Sequence, residues 1–415
     1  MARTLHTAPV VLPIDGEPVR DGAVAVDGEL ITAVGPRAEL VAAHPGARLR
    51  PWPGVLTPGL VNAHAHLQYS DFADLAASGL PFPEWIRQVT GRRVEYTERM
   101  WQRSARRGLH GLLRTGTTAV ADVVTDPGVL APTAASGVAG VSYLEVVGMD
   151  DRRWGDRRSG LVALLHGSAS RRTVGISPHT LYTLGTAVFR DCLAVARANG
   201  LRIHTHLAET PAEVEYVLGG EGPFAEWAHR LGLAFELAGS GGSGMSPAAH
   251  LDTIGGLGPD VHVAHGVHCD AADRAVLRER GSVVALCVRS NAVLAAGDPP
   301  VAAYLDEGSP IAIGTDSLAS SPSLDLMEEL GAVRALARRQ GYDSADLDRR
   351  LVEAATKGGA AAMGLSGTGV LRPGVRADLA VFDVPADGDP YAALVSAGPG
   401  RCVATVLAGR MVHRG

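Results

Sequence analysis

The sequence predicts an α/β protein: a (β/α)8 TIM barrel joined to a small β-sandwich built from both termini. Three observations carry this. Eight short apolar segments recur along the middle of the chain, with Ala-, Leu-, Arg- and Glu-rich helical stretches between most of them, the alternation of a parallel barrel. Both ends instead read as hairpins. The length of 415 residues suits a barrel of about 250 residues with a smaller companion.

The elements follow in chain order. GAVAVDGELITAVG, residues 22–35, is two alternating apolar runs around Asp27-Gly28, a strong hairpin signal. The expected barrel strands are GVLTPGLVNAHAH (54–66), TTAVADVV (117–124), VAGVSYLEVV (138–147), TVGISPHTL (173–181), LRIHTHLAE (201–209), DVHVAHGVHC (260–269), SVVALCV (282–288) and PIAIGTDS (310–317). No G-x-G-x-x-G follows the first of them, which argues against a doubly wound open sheet. RADLAVFDV, residues 376–384, is a further strand, and CVATVLAGRMVHRG, residues 402–415, a hairpin around Ala408-Gly409. Neither terminal set has enough strands to bury a sheet face alone. The expected division is 1–55 with 369–415 for the sandwich and 56–368 for the barrel. AGSGGSGMSPAAH, residues 238–250, reads either as a flexible surface insertion or as a mobile lid.

Composition removes several classes of function. The formal net charge of −6 offers no basic excess for nucleic acid. No apolar run approaches the roughly 18 residues needed to span a membrane, and the N-terminus lacks signal-peptide character. A cytoplasmic location is expected. The four cysteines, Cys192, Cys269, Cys287 and Cys402, form no C-x-x-C pair, so neither a disulfide scaffold nor a zinc knuckle is expected.

Barrel enzymes place their chemistry at the C-terminal ends of strands, and here those ends are polar. The first ends in His64-Ala-His66, the fourth near His179, the fifth in His204-Thr-His206-Leu-Ala-Glu209, the sixth in His265-Gly-Val-His268 and the eighth in Gly314-Thr315-Asp316-Ser317. Residues i and i+2 of a strand share a face, so His64 and His66 can serve one ion. Imidazole nitrogen and carboxylate oxygen suit a zinc-like divalent metal. The expected ligands are His64, His66, His206 and Asp316, an open shell that leaves a place for water. His204 has the parity of His206 but lies a layer deeper, among barrel-interior residues. The one lysine, Lys357, follows the eighth strand. No carboxylated lysine can therefore bridge two metals from a middle strand, and a mononuclear centre is expected.

PGLVNAHAH, HTHLAE, HVAHGVHCD and IGTDS together resemble the amidohydrolase superfamily over nearly the whole chain. The H-x-x-E and A-H-x-V-H blocks resemble its mononuclear deaminase and chlorohydrolase branch. That resemblance implies proton-transfer roles for Glu209 and His265, with Asp316 helping to accept a proton, and a substrate-side role for His179. It implies one divalent metal, zinc by default and iron with the same ligands, and a small-molecule substrate. A homodimer is common for such folds, and the sequence leaves the oligomeric state open. Many relatives carry an SHNPxSN-like stretch after the seventh strand. Here ALCVRSNAVLAAG keeps Ser290-Asn291 but has Leu286-Cys287 in place of His-Asn, and Val288 where proline is expected.

C-x-R-S-N, GLPFPEWIRQVTGRR (79–93) and GTDSLASSPSLDLMEEL (314–330) resemble aminodeoxyfutalosine deaminases of the futalosine route to menaquinone. The implied reaction is hydrolytic deamination of an adenine ring, water attacking C6 while Glu209 shuttles protons. Deamination of adenosine, S-adenosylhomocysteine or guanine, or hydrolysis of a triazine-type ring, is the alternative. A benzoate-like acid on the substrate needs an aromatic platform and a cation. Phe82 and Trp85 are expected to supply the first; Arg87, Arg92, Arg93 or Arg289 the second. Ser290, Asn291, Ser317 and Ser321 are expected to meet polar substrate edges.

Overall fold

The computed structural model describes residues 3–167 and 172–415. Two sheets organise it. The first opens with β1 (Thr4–Val11), β2 (Val19–Asp27), β3 (Leu30–Pro36), β4 (Arg48–Pro51) and β5 (Val55–Pro58). The second holds β6 (Leu60–Ala65), β7 (Thr117–Val124), β8 (Ala139–Val146), β9 (Thr173–Pro178), β10 (Ile203–Leu207), β11 (Val261–His265), β12 (Val283–Leu286) and β13 (Ile311–Ile313). The chain then rejoins the first sheet through β14 (Leu379–Phe382), β15 (Cys402–Leu407) and β16 (Arg410–Arg414).

The order in the terminal sheet is β16-β15-β14-β5-β1-β2-β3, with β4 beside β1. The antiparallel pairing of β5 with β14 joins the two ends of the chain. Alternation explains how one sheet serves two cores. Val24, Val26, Leu56, Leu379, Val381, Ala404 and Val406 bury against one another. Val10, Val55, Ala380 and Phe382 belong to the large barrel core.

The second sheet runs β13 to β6 in reverse chain order, parallel throughout. Its strands are apolar on both faces, as helix-covered parallel strands must be; every residue of β7 is buried. Each of the eight expected barrel segments supplies one of these strands. The seam between first and eighth is closed largely by side chains. The Asp316 N–H donates to the His64 carbonyl at 2.9 Å. Asn62 adds a two-way bridge: its Nδ2 donates to Thr315 Oγ1 at 2.7 Å, and its Oδ1 accepts from the Thr315 N–H at 3.1 Å.

The first expected barrel strand is divided between the sheets. Val55–Pro58 pairs with β1 and β14, and the chain passes to the barrel at Gly59 rather than at residue 55. A β-carbon at Gly59 would lie 2.0 Å from Thr118 Oγ1 and 2.7 Å from its Cβ, so the crossing admits only glycine without movement. The 238–250 stretch is no open loop. Its glycine turn lies between helices Glu236–Ser240 and Pro247–Thr253, and the N–H groups of Ser243 and Gly244 donate to Val217 and Leu218. Among the described residues no helix is long and apolar enough to cross a membrane.

Candidate active site

The side chains expected to carry chemistry meet at the C-terminal ends of the barrel strands. His64 lies near the end of β6 and His66 just past it; His206 lies on β10, and Asp316 follows β13. His64 Nε2 and His66 Nε2 stand 3.4 and 3.7 Å from Asp316 Oδ1. His66 Nε2 and His206 Nε2 are 3.3 Å apart. Metal-compatible donor groups gather His64 with His66 and Asp316, and His64 with His206 and His265, each within 4.8 Å. All are buried. Burial pushes His66 down to about 4 and lowers His64 and His206 as well, so these imidazoles are neutral at pH 7 with lone pairs available. His64 Nε2 is buried without a hydrogen-bond partner. Three neutral imidazoles and a carboxylate around such an atom fit a zinc-type divalent ion.

Two of the donors, His64 and Asp316, are held from behind. His64 Nδ1 lies 3.0 Å from His204 Nε2. A His64 that keeps its Nε2 lone pair must carry its proton on Nδ1 and donate it to His204, the usual way a ligand imidazole is oriented. Asp316 Oδ2 accepts from Ser290 and Ser320 Oγ at 2.6 and 2.7 Å, and Oδ1 from the Ser317 N–H at 2.7 Å. Asp316 has φ +59°, His265 +74° and Ala208 +50°. Left-handed backbone is strained for residues other than glycine and persists where surroundings enforce it. At Ala208 the enforcement is visible. The buried Glu213 carboxylate accepts the N–H groups of Ala208 and Glu209 at 2.8 and 2.9 Å.

Beside the donors lie Glu209 and His265. Glu209 Oε1 is 3.7 Å from His265 Nε2. Burial pushes the Glu209 carboxyl up to about 6 against the pull of His265, so a fraction of it holds a proton near neutral pH. His265 Nδ1 lies 2.9 Å from Asn291 Oδ1, which fixes its ring. On the opposite side His179, pushed down to about 4 by burial, holds Thr183 Oγ1 at 3.0 Å through Nδ1. Its Nε2 faces Glu145 at 3.8 Å.

The sequence pattern of the amidohydrolase family matches residues 55–412. The chain belongs to that family. A second pattern, of the imidazolonepropionase-like composite domain of bacteria, matches residues 22–47 in the terminal sheet. A 5-methylthioadenosine/S-adenosylhomocysteine deaminase of Nitratidesulfovibrio vulgaris is 32% identical over 95% of this chain and 88% of its own. An aminodeoxyfutalosine deaminase of Deinococcus radiodurans is 32% identical over 83% and 81%. Among solved structures, an adenosine deaminase from Xanthomonas campestris with bound zinc superposes with a TM-score of 0.84 at 25% identity, covering 100% of this chain and 93% of that one. Family and site together make this amidohydrolase a metal-dependent hydrolytic deaminase.

The residues expected to touch substrate divide sharply. Ser290 Oγ donates to Asp316 and Asn291 Oδ1 faces His265 Nδ1, while Asn291 Nδ2 is buried without a hydrogen-bond partner. Ser317 reaches Asp316 through its backbone, and its hydroxyl meets Ser320 at 3.2 Å; Ser321 caps its own loop at Ser323. Phe82 is buried with its ring against Trp85 and Phe224, and Phe224 stacks on Tyr182 at 3.7 Å, near His179. Trp85 Nε1 donates to the Ala319 carbonyl at 2.7 Å. Helix Phe82–Arg93 thus ties the loop after β6 to the loop after β13. Of the four arginines, Arg87 is 71% exposed and pairs with Glu84. Arg92 pairs with Asp74 and Arg289 with Glu328, both at 2.6 Å. Half-buried Arg93 takes part in none of the ion pairs seen among the described residues, and its charge reaches Glu145, His179 and Tyr69. The sequence reading passed over Glu145, Asn62 and Ser320. The first had a signal: it is a lone acid in the apolar segment VAGVSYLEVV.

Proposed function

We propose that the enzyme hydrolyses the C6 amino group of an adenine nucleoside that carries a remote acid, with aminodeoxyfutalosine as the foremost candidate. Arg93 is the observation that carries the acid. It is a half-buried cation in none of the ion pairs among the described residues, at the end of helix Phe82–Arg93, and its charge acts on Glu145 and His179. The aminodeoxyfutalosine deaminase of Deinococcus radiodurans supports the same substrate.

His64, His66, His206 and Asp316 would hold the divalent ion, with zinc the first choice. When bound, the ion supplies Lewis acidity that lowers the pKa of a water from about 15.7 toward 7. The remaining chemistry belongs to this chain. Asp316 and His265 accept the proton that water gives up. Glu209, part-protonated near neutrality, donates to ring nitrogen N1 and makes C6 electrophilic. The same carboxylate then takes the proton of the new C6 hydroxyl and relays it to the exocyclic nitrogen, which leaves as ammonia while adenine becomes hypoxanthine, and the proton held by Asp316 and His265 returns to Glu209. Asn291 and Ser290 keep His265 and Asp316 aimed at the reacting water. A metal with a glutamate proton shuttle that is not itself a ligand is also the solution of the unrelated cytidine-type deaminases.

The second reading, deamination of 5-methylthioadenosine or S-adenosylhomocysteine, is favoured by the Nitratidesulfovibrio vulgaris relative that spans 95% of this chain. A substrate panel decides. Aminodeoxyfutalosine, S-adenosylhomocysteine, 5-methylthioadenosine and adenosine are each incubated with the metal-loaded enzyme, and the adenine-to-hypoxanthine absorbance change is followed. Aminodeoxyfutalosine is expected to give the highest kcat/KM. Arg93→Gln should cost that substrate roughly tenfold or more, the scale of a lost charged hydrogen bond, while adenosine changes little. A wild-type preference for adenosine or 5-methylthioadenosine refutes the acid subsite, and a preference for S-adenosylhomocysteine refutes the foremost candidate.

A further inference from the structure

Glu145 is a built acceptor that the deamination chemistry does not use. It stands next to last on β8, its side chain 4% exposed. Oε2 accepts from Thr125 Oγ1 at 2.6 Å. Thr125 is itself fixed: Gln68 Nε2 donates to its hydroxyl at 2.6 Å, the Tyr69 hydroxyl lies 3.2 Å away, and Gln68 Oε1 accepts the N–H groups of Thr125 and Asp126. The loop after β6 therefore clamps the end of β7, which clamps Glu145. Oε1 is buried with no hydrogen-bond partner. The nearest base, His179 Nε2 at 3.8 Å, is beyond hydrogen-bond reach.

A buried, unsatisfied carboxylate oxygen is costly and calls for an explanation. Glu145, His179 and His206 can place one donor atom each within 4.8 Å of one another, which raises a second cation as one occupant. Two facts weigh against it. His206 already faces His66 as part of the first donor set, and the charge of Arg93 falls on the same spot, favouring the carboxylate and repelling a cation. A neutral O–H donor suits the place better. A sugar hydroxyl matches it, because Oε1 is an open acceptor while Oε2 is held by Thr125.

We propose that Glu145 is the sugar-hydroxyl acceptor of the site, its free Oε1 receiving a ribose hydroxyl of the bound nucleoside. This rests on the nucleoside reading above. It assigns to one residue the discrimination between a ribonucleoside and its deoxy counterparts.

The test compares adenosine with 2′,3′-dideoxyadenosine on metal-loaded enzyme. In the wild type kcat/KM should fall by at least about tenfold on loss of the diol. In Glu145→Gln the ratio of kcat/KM between the two substrates should fall toward one, with the loss on adenosine mostly in KM. A merely structural glutamate would cost both substrates the same factor, and that result overturns the proposal. So does a wild type that treats both alike, a measurement that needs no variant to fold. Two ions per chain, one lost in Glu145→Gln, would assign the spot to a cation instead. Wild type that deaminates no adenine nucleoside at all overturns the functional reading, and the sugar contact with it, a distinct outcome from equal use of both.

Discussion

At the scale of the residue, the site separates side chains that hold from side chains that react. Glu209 is the clearest reacting group of the proposed mechanism. It is absent from the four-donor set, its backbone is gripped by Glu213, and burial sets its carboxyl at about 6, near the pH at which a shuttle works best. Glu209→Gln keeps the shape and removes the proton. It should retain one ion per chain by elemental analysis while losing on the order of 10²-fold or more in kcat, the scale of general acid–base catalysis. Full turnover in that variant would remove the assigned role; loss of the ion would make Glu209 a ligand instead. The holding residues were harder to read from sequence. Ser290, Asn291 and Ser317 stand out as polar groups near strand ends, and a linear pattern cannot show that their hydroxyl, amide and N–H groups point inward at Asp316 and His265 rather than outward at substrate. His204 illustrates the same limit. Its strand parity placed it one layer below His206, and only three dimensions bring its ring against His64.

At the scale of the element, the terminal sheet depends on a buried acid. Asp378 accepts the Ala408 N–H at 2.8 Å and pairs with Arg376 at 3.1 Å, which fixes the turn between β15 and β16. Burial, opposed by Arg376 and that N–H, pushes its carboxyl up to about 6. The folded protein therefore binds this proton more tightly than the unfolded chain. The contribution to stability is whole below about pH 4 and is lost as pH rises through about 6, up to about 3 kcal/mol for a shift of two units. Asp378→Asn cannot titrate. The stability of wild type relative to this variant should fall between pH 4 and 7 in calorimetric midpoints measured at each pH; a flat difference would refute the shift. The strands themselves were legible because their physics is local. Barrel strands are covered on both faces and read as unbroken apolar runs, and glycine near a hairpin tip marks the turn. The exchange of sheets at Gly59 was not legible. Its apolar run continues from β5 into β6, and what ends one sheet and starts the other is the close approach of Thr118, a contact between residues far apart in sequence.

At the scale of the whole molecule, the donor set spans the barrel where its backbone ladder is weakest. His64 and His66 come from the first strand, His206 from the fifth and Asp316 from the eighth. The first and eighth strands meet through Asn62, Thr315 and a single N–H donated by Asp316 to His64. An ion held by these donors would tie the seam as well as activate water, so folding and metal loading are linked. Binding to the native state alone stabilises it by RT ln(1 + [L]/Kd), about 2.7 kcal/mol when free ion is at 100 times Kd. Chelation should lower the unfolding midpoint, and added zinc should restore it. The loosening should also be local. Amide hydrogen exchange should rise first in residues 60–66 and 311–317, the two sides of the seam, and leave 402–414 in the terminal sheet unchanged. Uniform loosening would mean that the ion stabilises the molecule without tying the seam. An unchanged midpoint would mean that the four side chains hold no ion that matters to the fold.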